Sequence, residues 1–139
     1  MSHAADFTQI LRTAVRDYRG ARERAIHRAG DVFDFYSNLF ADSRVTGENR
    51  AIVNAVLAYF VVGKDVIPEE VYGPIGYIDD LYVASHAFRI LRRELPGDLL
   101  IHAWAADGDL DETMEIVFRE SRGEIGKRSR EILRLAGFL

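Results

Sequence analysis

The sequence predicts an all-α fold, a compact bundle of five to seven helices around a central helical hairpin. Three observations predict it. Apolar residues recur every three or four positions over most of the first forty residues. A charge-free segment, Ala51 to Gly63, is followed after a short connection by a strongly amphipathic one ending near Leu95. No run alternates in the period-two manner of a half-buried strand.

In the first segment the apolar positions are Phe7, Leu11, Ala14, Tyr18, Ala21, Ala25, Ala29, Val32, Tyr36 and Phe40. Gly20 and Gly30 interrupt the pattern and Asp31 is placed to cap a second helix, so two helices, or one long helix bent near Gly30, are expected. The opposite face carries Arg12, Arg16, Arg19, Arg22 and Arg28. It reads either as a solvated face paired with Asp17 and Glu23 or as a patch for an anionic lipid or nucleic acid.

Ala41 to Asn49 has loop chemistry, and Arg50 to Val62 then reads as a helix. It is apolar nearly all round, with Ile52, Val53, Val56, Leu57, Tyr59 and Phe60, which places it at the centre of the bundle. Gly63 is a natural end for it. Lys64 to Ile78 connects it to the next helix. Pro68 suits the first position of a single helical turn, which Gly73-Pro74 closes. Asp79 or Asp80 starts a helix running to about Glu94, with Leu81, Ala84, Phe88, Leu91 and Leu95 inward and Arg89, Arg92 and Arg93 towards its C-terminal end. Asp98 is expected to cap a short helix, Leu99 to Ala105, holding the single Trp104. Asp109 and Glu112 resemble a capping box opening a helix through Glu120, and a last helix spans roughly Ile125 to Ala136.

The 139 residues suit one domain, with 31–95 as its hairpin core, 1–30 as an N-terminal helical segment and 96–139 as C-terminal helices. Hydrophobic content is 48% and charged content 29%, an ordinary globular composition. There is no cysteine, which excludes disulfides and thiolate metal sites. The net charge of -4 argues against a dedicated nucleic-acid binder. No basic flank precedes an apolar run at the N-terminus, and the charge-free segment of about thirteen residues falls short of the roughly twenty of a spanning helix. A cytoplasmic protein without a transmembrane segment is expected.

The connection and its flanks concentrate five carboxylates, Asp65, Glu69, Glu70, Asp79 and Asp80, against a single Lys64. Here the residues Tyr59, Asp65, Val66, Ile67, Pro68, Gly76, Tyr77, Ile78, Asp79, Asp80 and Leu81 form a pattern that resembles the YkvA family, a domain of unknown function with an Asp-x-Ile-Pro-acid segment followed by Gly-Tyr-x-Asp-Asp. The resemblance extends from about Asp31 to Leu95. Gly63 departs from the usual first proline, Glu69 replaces an aspartate, and the linker Glu70 to Ile75 is about one residue longer than is typical. The resemblance implies a helical hairpin module in which Tyr59, Pro68, Gly76 and Tyr77 are structural, and it carries over no settled catalytic activity.

Two readings of the carboxylates stand at this point. In one, Asp65, Glu69, Asp79 and Asp80 converge across the linker and bind Mg²⁺, Mn²⁺ or Ca²⁺ through oxygen, since carboxylates that close repel one another unless a cation balances them. This is the basis of a metal-dependent enzyme, for example a hydrolase. In the other, Asp79 or Asp80 caps a helix, Asp65 accepts from linker amides, Glu69 faces solvent, and no cofactor is needed. The protein is then a structural or interaction module for a protein partner, a second copy of itself or a membrane surface. Asp107, Asp109 and Asp111 resemble the start of a calcium loop, but Glu112 and Phe118 break the EF-hand pattern, so capping is their expected role. His3, His27, His86 and His102 lack metal-ligand spacing, and His86 is expected to be packed and hydrogen-bonded. No nucleotide-binding or nucleophile motif is present.

Overall fold

The first described helix ends early, at Val15. The computed structural model describes residues 3–62 and 76–139. Its helices are α1 (His3–Val15), α2 (Glu23–Ile26), α3 (Ala29–Ala41), α4 (Gly47–Val62), α5 (Ile78–Glu94), α6 (Gly97–Ala103), α7 (Leu110–Ile125) and α8 (Ser129–Ala136), with a 3₁₀ turn at Gly126–Arg128 before the last. The described residues contain no strand, and the architecture is an all-α bundle.

The N-terminal helices break between α1 and α2, not at Gly30. Gly20 lies in that break with φ +148°, and the Tyr18 hydroxyl donates to Ala21 O at 2.8 Å. Gly30 instead lies buried in the first turn of α3, beneath α1. A Cβ there would meet the α1 backbone at 3.2 Å (Thr8 O) and 3.3 Å (Arg12 N). The residue expected to interrupt a helix therefore lets two helices approach closely. Asp31 does not cap α3. It lies within the first turn and receives Arg12 Nη2 at 3.1 Å and Arg28 Nη1 at 3.0 Å.

The expected core residues Val56, Tyr59, Phe60, Leu81, Phe88 and Leu91 are all buried. Their cluster takes in side chains from Leu11 to Leu133. Aromatic edges join its layers. Phe33 lies 4.7 Å from Phe7 and 5.6 Å from Phe60, and Phe35 lies 6.0 Å from Phe88.

The centre is α5 rather than α4. Every residue from Ile78 to Ser85 is buried, so α5 is enclosed on all sides at its head. Helices α2, α3, α4, α7 and α8 all pack on it. In α4 only Val53, Val56, Tyr59 and Phe60 are buried, and Val61 and Val62 are 58% and 65% exposed. Small apolar residues on an outward face cost little, so near-uniform apolarity did not guarantee enclosure.

Beyond α5 the expected boundaries shift. Trp104 ends α6 instead of lying within it, and its Nε1 donates to Gly108 O at 3.0 Å. Asp109 caps α7, its carboxylate accepting from Glu112 N at 2.9 Å, and α7 continues to Ile125.

Candidate functional site

The head of α5 carries the two motif aspartates that the structure describes. Tyr77 is the N-cap residue and its side chain makes no cap, so neither Asp79 nor Asp80 is the cap that was expected. They occupy the second and third helical positions, near the positive end of the helix dipole. Asp79 is 0% and Asp80 1% exposed. Consecutive helical side chains diverge by about 100°, so the two carboxylates point to different sides of α5.

Around them, Gly76 is buried, Tyr77 is partly buried against the core, and Tyr59 is buried on α4. Asp65, Pro68 and Glu69 lie outside the described residues, as do Glu70 and the expected turn at Pro68. Among the described residues no group of three or more His, Asp or Glu side chains is placed to hold a metal ion.

The other acidic positions are committed elsewhere. Asp107 Oδ1 receives Arg28 Nη1 at 3.0 Å, Asp111 receives Arg92 Nε at 2.9 Å, and Asp109 caps α7. These three do not converge. The side chain of Asp42 receives Arg44 Nη2 at 2.9 Å, and hydrogen bonds from Arg44 hold its carboxyl down to about 2.

The arginine face of the N-terminal segment is largely occupied. Arg22 Nη1 reaches Glu120 Oε2 at 2.9 Å and its Nε reaches Glu124 at 3.4 Å, while Arg24 takes the other oxygen of Glu120 at 2.9 Å. Arg12 and Arg28 hold Asp31. Arg19 approaches Glu23 at 4.0 Å, as expected, but Asp17 forms no ion pair among the described residues. No local signal marks the Arg22 and Arg24 pairs, whose partners lie up to 102 positions away.

His86 is packed but not hydrogen-bonded among the described residues. Its ring lies 5.6 Å from Phe138 and 6.4 Å from Tyr82. Burial, and then the neighbouring Arg89, hold its pKa below the ordinary value.

A family model described as a protein of unknown function (DUF1232) matches residues 49–85, which run from α4 through the connection to the head of α5. The matched part thus contains both Asp79 and Asp80. Over nearly its whole length the chain is similar to an uncharacterized protein, ORF9, of Methanothermobacter thermautotrophicus. The two are 22% identical over 134 residues, covering 96% of this chain and 92% of that protein. No solved structure matches. Among the described residues no helix is long and apolar enough to cross a membrane.

Proposed function

We propose that the chain is a non-enzymatic, YkvA-like helical module of the cytoplasm, working by contact with a protein partner, a second copy or a membrane surface, with Asp79 and Asp80 as architectural residues. The burial of both carboxylates at the head of the central helix carries this reading. A catalytic carboxylate must reach a substrate, and these are enclosed. An ionised group at that depth is stable only when hydrogen-bonded or paired, and the first turn of a helix supplies unsatisfied amides and a favourable dipole. The motif Tyr59, Gly76, Tyr77, Asp79 and Asp80, inside the segment matched by the family model, supports the YkvA-like assignment. In this reading residues 31–95 form the hairpin core and residues 1–30 and 96–139 pack around it.

The competing reading makes Asp65, Glu69, Asp79 and Asp80 oxygen ligands of Mg²⁺, Mn²⁺ or Ca²⁺ in a hydrolase-like site. Two enclosed carboxylates at one helix head favour it, because a cation is one way to balance them. The divergence of adjacent helical side chains weighs against a shared ion. Thermal melts in EDTA and in each cation separate the two. The architectural reading predicts an unchanged melting temperature. A cation that binds the folded state stabilises it by RT ln(1 + [L]/Kd), about 2.7 kcal/mol at a hundredfold excess over Kd, and a rise of that kind would overturn the proposal.

A further inference from the structure

Two hollows adjoin on the outer side of α5. The first, about 350 Å³, is lined by His86, Arg89, Ile90 and Arg93. The second, about 300 Å³, lies between α5 and α7, with Phe88, Met114 and Phe118 as its apolar lining. Arg89 and Arg93 line both. Each volume lies at the low end of the range for ligand sites, about 300–1,000 Å³.

The charges are unevenly divided. Among the described residues no carboxylate lines the first hollow. At the second, Asp111 is held by Arg92 at 2.9 Å, and Glu115 stands on the α7 wall. The Arg89 guanidinium carbon lies 4.4 Å from the centre of the Phe118 ring, a cation–π contact at the junction of the two hollows. Arg93 forms no ion pair among the described residues. Two cations four residues apart on one helix repel each other. The helix dipole favours cations near the end of α5, but it does not account for the apolar side chains Phe88, Met114 and Phe118 that line the second hollow beside them.

We propose that the joined hollows bind an amphiphilic oxyanion, its carboxylate or phosphate held by Arg89 and Arg93 and its apolar body lying along Phe88, Met114 and Phe118. Glu115 and Asp111 line the α7 side of the second hollow, which leaves the anion to the α5 side, where Arg89 and Arg93 stand. His86 flanks the anion end. This binding site is independent of whether Asp79 and Asp80 are architectural.

The test is calorimetric titration of the full chain with decyl phosphate below its critical micelle concentration, alongside inorganic phosphate. Saturable one-to-one binding is expected, with inorganic phosphate weaker and the His86 ring resonances shifting on addition. Arg93→Ala, and more so Arg89→Ala with Arg93→Ala, should weaken binding about tenfold or more, since each removes a charge-assisted contact. Both arginines are exposed, and a melt of each variant checks that it folds. Absence of saturable binding, undiminished binding by the double variant, or equal affinity for inorganic phosphate would overturn the proposal. So would association with phosphatidylcholine–phosphatidylglycerol vesicles without any binding of the monomeric amphiphile, which would identify a bilayer surface instead.

Discussion

Tyr36 is fully buried, and its hydroxyl donates to Ala84 O of α5, tying α3 to the central helix. Burial raises its pKa well above the ordinary 10.0. The folded state keeps the neutral phenol while the unfolded chain ionises near 10, so this group's contribution is complete below that pH and is lost as pH rises above it. Tyr36→Phe should cost about 0.5–1.5 kcal/mol at neutral pH through the lost hydrogen bond. It should also flatten the alkaline fall in stability. Urea unfolding of both proteins at neutral pH and above pH 10 checks this, and parallel alkaline profiles would contradict it. Gly30 teaches a different lesson at the same scale. A glycine in a helical pattern signals either a break or a close approach, and the sequence alone does not say which. Here the deciding atoms are the backbone of α1, contributed by residues about twenty positions earlier.

At the scale of elements, periodicity marked the helical segments because a helix buries its apolar face. The buried faces of α4 and α5 were legible in Val56, Tyr59, Phe60, Leu81, Phe88 and Leu91. Phe60→Ala should therefore cost roughly 3–5 kcal/mol, since the ring is buried against Phe33. A loss below about 1 kcal/mol in urea unfolding would mean that α4 is held mainly by other contacts. What the sequence did not reveal was which helix is central. The aspartates and arginines of α5 made it look half exposed, yet its head is enclosed by neighbours distant in sequence. Nor did spacing show that Asp79 and Asp80 sit inside the helix instead of capping it, because a cap and a first-turn acid share the same local composition.

Over the whole molecule, the N-terminal segment is fastened to the C-terminal helices by charge as well as by the core. Glu120 alone receives both Arg22 and Arg24, and Arg28 spans Asp31 and Asp107. With Arg22, Arg24 and Arg28 paired and a net charge of -4, the protein is predicted not to bind duplex DNA tightly at physiological salt; binding that falls steeply with salt and is weakened by Arg12→Ala with Arg16→Ala would contradict this. Helices α2, α3, α4, α7 and α8 all pack on α5, so the state of its two buried carboxylates bears on most of the bundle. If they are architectural, each accepts hydrogen bonds that a neutral amide of the same shape cannot reproduce. Urea unfolding of the wild type, Asp79→Asn and Asp80→Asn in EDTA tests this most directly. Each variant is predicted to lose about 1.5–3 kcal/mol, the range for a hydrogen bond to a charged group. Asparagine variants as stable as the wild type, or more stable, in EDTA would show carboxylates that repel each other in the absence of a cation, and would contradict the account.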